Sequence, residues 1–180
     1  AMIDASGRDV RLQVDGGVAP DTIAAVVAAL ALSGAVAVAQ ESGSRRLLGA
    51  WSLQAYDLEF QDSGEHRPAL GAHPRGSLVF TPEGRIVVYL EDADRKAPTT
   101  DAERAAAYKG LLAYTGSYTV DGGRWITHVD GAWNVAWVGT DQVREFTIEG
   151  DRLTVVAQWN PNPLFGGRMT RGRLVFTRGR

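Results

Sequence analysis

The feature that most constrains the fold is the run from Tyr114 to Val156, in which short segments with a two-residue period are separated by tight polar turns. Asp121-Gly122-Gly123 breaks the first segment, and Gly150-Asp151 separates the last two. Turn signals at intervals of roughly 8–12 residues between such segments predict an antiparallel meander that closes as a sandwich or a barrel. The rest of the chain must complete this sheet or cover it.

Counting the predicted strands gives eight. The meander contributes Tyr114–Val120, Arg124–Val129, Trp137–Phe146 and Arg152–Trp159, and the other four are Leu48–Phe60, Gly76–Thr81, Arg85–Glu91 and Arg173–Thr177. One short helix is predicted over Asp101–Gly110, with Thr100 as N-cap and Glu103 completing a capping box. Eight antiparallel strands favour an all-β barrel whose interior fits side chains or one small ligand, because closure leaves no unpaired edge.

Composition excludes several classes of protein. A chain of 180 residues, 44% hydrophobic and 22% charged, is long enough for one globular domain with a terminal appendage. The net charge of −2 comes with scattered basic residues, which excludes a nucleic-acid surface. The chain has no cysteine and only three histidines, so we expect neither a disulfide nor a metal site.

An apolar stretch near the N-terminus predicts a helix over about residues 20–32. Its large side chains share one face, and the opposite face is alanine; these large residues are Ile23, Val26, Val27 and Leu30. Three interpretations stay open: a helix packed over the domain, an uncleaved export signal ending at Ala37-Val38-Ala39, or a membrane anchor. The acidic flank argues against export, and the short run argues against a span of the bilayer. We therefore expect a cytoplasmic protein without a membrane partner, with export as the alternative.

A helix with two apolar faces must be covered on both. We expect it to lie across the barrel mouth as a lid, with its Ile and Val side chains towards the interior. The alternatives are packing on the outer wall or exchange with a second subunit, which would make a homodimer. The expected domains are residues 1–46, which hold the lid helix and a flexible polar linker, and residues 47–180, which form the barrel.

Candidate ligand contacts come from the aromatic and polar residues of the strands. Tyr114 and Tyr118 share a face on which Gly116 leaves room for a flat ligand. In the next strand either His128 and Asp130 point inward, or Trp125, Thr127 and Val129 do. Gln142 and Arg144 pose the same question against Val143 and Glu145. The ligand contacts that we predict are Tyr89, Tyr118, Trp133, Trp137, Asp130, Ile23, Val26, Val27 and Leu30.

Several segments resemble those of bacterial lipocalin-like domain proteins. They are Gly49-Ala50-Trp51, Pro74 to Gly84, Tyr114 to Tyr118, Trp137 to Arg144, and Gly150 to Thr154. The resemblance covers about Leu47 to Arg178 and implies an eight-stranded lipocalin-like barrel.

The resemblance extends to small lipocalin-like barrels that act as cofactor-free cyclases. These enzymes close spirotetramate or spirotetronate rings of polyketides by [4+2] cycloaddition, some of them beneath an N-terminal helix. The resemblance implies a Diels–Alderase without cofactor or metal that acts on a large apolar polyketide. In such an enzyme, hydrogen bonds from His128, Gln142 or Tyr114 to the dienophile carbonyl would stabilise developing charge. A non-catalytic carrier of an apolar small molecule is the alternative function.

Overall fold

The chain divides into two units, residues 1–38 and residues 39–180. The computed structural model describes residues 2–3, 9–10, 43–162 and 165–179. In the first unit, β1 (Met2–Ile3) pairs antiparallel with β2 (Asp9–Val10). The predicted lid helix lies outside the described residues, and so do Ile23, Val26, Val27 and Leu30.

The second unit is a closed antiparallel barrel of eight strands, as the sequence predicts. Around the barrel the order is β3-β5-β6-β7-β8-β9-β10-β12, and β12 pairs with β3 to close it. These strands are β3 (Gly49–Phe60), β5 (Pro74–Phe80), β6 (Arg85–Asp92), β7 (Leu111–Asp121), β8 (Arg124–Ala132), β9 (Asp141–Glu149), β10 (Arg152–Ala157) and β12 (Arg168–Arg178). Two short strands, β4 (His66–Pro68) on β3 and β11 (Asn160–Asn162) on β12, extend the wall.

Alternate residues of each strand face the interior and form the core. In β6, for example, Ile86, Val88 and Leu90 are buried, whereas Val87 and Tyr89 between them are exposed. This alternation follows from the two-residue period of a strand. The largest fully buried side chains of the core are Trp51, Trp125, Phe60, Phe80 and Phe176.

One end of the barrel is closed by tight turns and by the start of the domain. Residues 43–47, within the predicted flexible linker and just beyond it, are instead helical and form α1. Leu47 is fully buried, and its carbonyl accepts a hydrogen bond of 2.7 Å from the Trp51 indole nitrogen. The Arg178 guanidinium lies 4.2 Å from the centre of the Trp51 ring on β3. Trp51 therefore seals the barrel floor, as its position at the start of the first strand predicts.

The other end, called the mouth below, is bordered by the long connections. One of them contains α2 (Asp101–Lys109), which lies between β6 and β7. The Thr100 side chain accepts from the Glu103 backbone N–H, and the Glu103 carboxylate accepts from the Thr100 backbone N–H. The predicted capping box is thus confirmed. Among the described residues, none of the helices combines the length and apolar character that crossing a bilayer demands.

A second mouth connection differs from the prediction. The sequence predicts a strand that opens at Trp137, but β9 begins at Asp141, and Val135–Trp137 form a 3-10 turn. The Asn134 side chain accepts from the Ala136 N–H, and Gly139 has a φ of 79°, a left-handed conformation that glycine adopts readily. This local turn chemistry places Trp137 on the rim of the barrel.

Candidate ligand-binding site

Two adjoining cavities lie in the interior and at the mouth of the barrel. A cavity of about 50 Å³ lies inside the barrel, and a cleft of about 400 Å³ lies at the mouth. Both are lined by Tyr56, Trp137, Arg144 and Ala157, so these four residues form the boundary between them. Hereafter these are the inner cavity and the mouth cleft.

The two volumes suit different parts of a ligand. Pockets for drug-sized molecules measure roughly 300–1,000 Å³, a range that includes the mouth cleft and excludes the inner cavity. The inner cavity has room for only a few atoms. A ligand bound here would therefore have its body in the mouth cleft and at most a small group inside the barrel.

Arg144 is the charged residue of the boundary. It belongs to the inward face of β9, where Phe146 packs against the core. Its guanidinium donates to the Val143 carbonyl at 2.8 Å and to the Gln142 Oε1 atom at 3.1 Å. Within the described part of the chain, no carboxylate lies within salt-bridge distance of Arg144. Neither contact neutralises its charge.

Two tyrosines lie near this charge. Burial raises the pKa of Tyr56, and the charge of Arg144 opposes that shift. Burial also raises the pKa of Tyr114, against the charge of Arg144 and a hydrogen bond with it. Both side chains therefore stay protonated at neutral pH and can donate an O–H group. Gly172 makes room for Tyr56, because a Cβ atom at Gly172 would lie 3.0 Å from a ring carbon of Tyr56.

An aromatic cluster forms part of the rim. The Trp137 ring makes edge contacts with Tyr114 at 5.6 Å and with Trp133 at 5.1 Å between centroids. Tyr108 of α2 donates its hydroxyl hydrogen to the Trp133 carbonyl at 2.8 Å. Such edge-to-face contacts fix the ring orientations and present a flat apolar surface to the cavities.

Four of the predicted residues come together here. Tyr114 and Trp137 line the inner cavity, Gln142 lines the mouth cleft, and Trp133 packs against Trp137. Trp137 connects the residues of the inner cavity with those of the mouth cleft, because it lines both cavities.

His128 and Asp130 lie on the outer wall, which corrects the assignment of both to the site. In β8 the inward residues are Trp125, Thr127 and Val129, all buried. His128 contacts Asp141 at 3.0 Å, and both of these side chains are more than 60% exposed. Asp130 accepts hydrogen bonds from Arg85 and Thr115. Neither residue can reach a ligand in the barrel without reversing the strand.

Tyr89 and Tyr118 are also away from the cavities. Tyr89 is exposed on the outer wall and donates to the Glu91 Oε2 atom at 2.7 Å. Tyr118 packs on Phe80 near the closed end. Gly116 leaves no space for a ligand, because a Cβ atom there would lie 2.2 Å from the His128 carbonyl oxygen. The close approach of β8 explains this glycine.

Of the polar site residues, Tyr56 is absent from the prediction, and Trp125 and Arg144 stand in it only as open alternatives. Arg144 carried a usable signal, since it shares a strand face with Phe146 and Ile148, and a charge on the apolar face of a strand is unusual. The sequence left the orientation of Gln142 and Arg144 open. The described residues contain no cluster of His, Asp and Glu suited to hold a metal ion.

Closed eight-stranded barrels with a cavity at an open end form a class of protein that holds small molecules. Within that class, residues 48–179 match the family described as the lipocalin-like domain, and the chain belongs to this family. The family match agrees with the resemblance over about Leu47 to Arg178. No curated protein matches the sequence.

Proposed function

We propose that the protein binds a small molecule whose body occupies the mouth cleft. The observation that carries the proposal is a cleft of about 400 Å³ that continues, past Trp137 and Arg144, into a buried cavity. An aromatic surface and a partly buried charge at this boundary are the mixture of apolar wall and few polar groups that ligand sites use.

A second depression, of about 540 Å³, lies on the outer wall along β8, β9 and β10. It is lined by outward-facing groups such as Thr147, Thr154 and Val156. Its Arg124 is paired with Asp121, so the charge is already neutralised. The outer groove is therefore the weaker candidate, and it supplies a control.

Filling the mouth cleft tests the proposal. Ala157 is the last residue of β10, at the mouth, and it lines both cavities, whereas the adjacent Val156 lines the outer groove. N-phenyl-1-naphthylamine, a neutral fluorescent probe, should bind the wild-type protein with increased emission. Ala157→Phe should weaken this binding at least about tenfold, and the matched control Val156→Phe should leave it unchanged. Far-UV circular dichroism and melting curves check that both variants fold.

The result that contradicts the proposal is loss of probe binding in Val156→Phe but not in Ala157→Phe. Absence of binding to the wild-type protein by this probe and by decanol, decanoate and retinol would also contradict it.

A [4+2] cyclase is the second candidate function. Its support is the set of donors beside an apolar wall: Tyr114, Arg144 and the Gln142 amide surround the boundary of the cavities. A cycloaddition needs no proton transfer, so holding diene and dienophile together can supply much of the rate. Hydrogen bonds to a carbonyl of the dienophile would stabilise the charge that develops on it.

Cyclase and carrier differ in what they return. A cyclase converts a linear polyketide bearing a diene and a dienophile to an isomer of equal mass and different retention on chromatography. A carrier releases the same compound unchanged. The cyclase is supported if the wild-type protein converts the substrate and both Tyr114→Phe and Gln142→Leu lose this conversion but still bind the neutral probe. The carrier is supported if the substrate is unchanged after prolonged incubation with the wild-type protein.

A further inference from the structure

The inner cavity is lined by hydrogen-bond donors and by one cation. Its lining residues with polar side-chain atoms are Tyr56, Tyr114, Trp125, Trp137 and Arg144, and the others are apolar. Among the described residues, no aspartate, glutamate or histidine lines this cavity. Indole N–H and guanidinium groups only donate, and the hydroxyl groups of Tyr56 and Tyr114 are neutral at physiological pH and can donate.

Trp125 carries the strongest sign of an absent partner. The residue is 1% exposed, and its Nε1 atom makes no hydrogen bond with the described part of the chain. Burying an indole N–H without an acceptor costs desolvation free energy, so such groups are rare unless a ligand or a water molecule supplies the acceptor. Trp125 lies directly opposite Arg144 in the β8–β9 pairing, and both side chains line the inner cavity. The unpaired donor and the uncompensated charge are therefore neighbours.

We propose that the inner cavity receives an anionic oxygen group, a carboxylate or an acidic enolate, at one end of the ligand. Arg144 supplies the charge, and the Trp125 indole and the Tyr56 and Tyr114 hydroxyls supply hydrogen bonds. A cavity of about 50 Å³ accommodates a group of this size, while the body of the ligand remains in the mouth cleft. This inference rests on the proposed function and adds the chemical class of the ligand.

Electrostatics favours the anion over a neutral group. Arg144 is partly buried and has no carboxylate partner among the described residues, so an incoming anion would pair with its charge in partial shelter from water. Hydrogen bonds that involve an ionised group are about twice as strong as those between neutral groups. A ligand that ends in an acid should therefore bind more tightly than the same ligand ending in an alcohol.

The test compares decanoate with decanol as competitors of N-phenyl-1-naphthylamine at pH 8. In the wild-type protein decanoate should displace the probe at a concentration at least about tenfold lower than decanol. Arg144→Gln should bring that ratio close to one while decanol still competes. Trp125→Phe keeps an aromatic ring and removes the donor, so it should lower the ratio about threefold or more. Arg173→Gln removes an exposed arginine of β12 and should leave the ratio unchanged.

The outcomes separate the two proposals. If neither the probe nor the competitors bind the wild-type protein, the proposed function fails. If they bind but decanoate and decanol compete equally, only the anionic site is wrong. The same conclusion follows if the preference for decanoate persists in Arg144→Gln, or if Arg173→Gln abolishes it. A thermal melt of each variant shows whether lost preference merely reflects lost folding, and Trp125→Phe provides the second reading if Arg144→Gln does not fold.

Discussion

Glu91 and Arg144 are two charged residues of the barrel with opposite surroundings. Glu91, on the outer wall, is 7% exposed and fully paired. Its carboxylate accepts hydrogen bonds of 2.7 Å from Tyr89 and from Arg75, and Arg95 lies 3.3 Å away. Arg144 faces inward, and no carboxylate of the described residues forms an ion pair with it. Glu91 therefore serves the stability of the wall, whereas for Arg144 we propose a role in ligand binding.

Glu91→Gln should destabilise the barrel by about 1–3 kcal/mol at pH 7, because it weakens hydrogen bonds to a charged group and leaves the arginines uncompensated. Hydrogen bonds from Tyr89 and Arg75 lower the pKa of Glu91 below its ordinary value of 4.5. A lowered pKa in the folded state stabilises the protein above pH 4.5, and this stabilisation is lost as the pH falls through the folded-state value.

Urea denaturation of the wild-type protein and of Glu91→Gln at pH 7 and pH 3 measures both effects. The difference in unfolding free energy between them should be largest at pH 7. An equal or larger difference at pH 3 would contradict this role of the carboxylate.

For His128 we predict that substitution has almost no effect on ligand binding. Because its side chain is exposed on the outer wall, His128→Ala should change the affinity for a ligand at the mouth by less than about twofold. Fluorescence titration of the neutral probe measures this, with Trp137→Ala as the variant that should weaken binding. A large loss of affinity in His128→Ala would place the ligand outside the barrel.

At the scale of elements, the α2 helix depends on one carboxylate at its start. Glu103 accepts hydrogen bonds from the Thr99 and Thr100 backbone N–H groups and from the Thr99 hydroxyl. Led by the backbone bond from Thr99, these interactions lower the pKa of Glu103 to about 2. The cap therefore stabilises the first turn above pH 4.5, and its contribution is lost as the pH falls towards 2.

NMR titration of Glu103 should give a midpoint near 2, and the Thr99 and Thr100 amide protons should exchange faster as the pH approaches it. Thr99→Val removes the hydroxyl bond and should raise the midpoint towards 4.5. A midpoint in the wild-type protein that already equals the ordinary value would contradict the capping geometry.

How much the sequence predicts depends on whether the signal is local. The eight barrel strands and the capping box are local patterns of alternation, turns and spacing, and each is confirmed. No local pattern decides which face of β8 points inward. The face of β8 that holds Trp125 and the face that holds His128 both fit the local pattern. Closure of the barrel decides which of the two faces points into the interior. Asp130 shows the same limit, because it shares the outward face of β8 with His128.

At the scale of the whole molecule, the barrel is closed by the pairing of β12 with β3 and supported at its floor by α1. We propose that the domain begins near residue 41, and that it folds without residues 1–40. A chain that begins at residue 41 should keep its sheet signal and melt cooperatively. A chain that begins at Gly49 should be less stable by about 2–4 kcal/mol, because it loses burial of Leu47 and the hydrogen bond to Trp51.

Circular dichroism and urea denaturation of both truncated chains measure this difference. Loss of all sheet signal in the chain that begins at residue 41 would show that the N-terminal unit is needed for folding. Equal stability of the two chains would show that α1 contributes nothing to the floor.

The most direct test of ligand binding at the mouth is an NMR titration with N-phenyl-1-naphthylamine that follows the five tryptophan indole signals. The Trp137 indole signal and the Gln142 amide signals should shift with probe concentration. The indole signal of Trp51, which is hydrogen-bonded to the Leu47 carbonyl at the closed end, should not shift. The backbone amide signals of Thr147 and Thr154 in the outer groove should not shift either. Saturable shifts confined to Thr147 and Thr154, with Trp137 unmoved, would contradict a binding site at the barrel mouth.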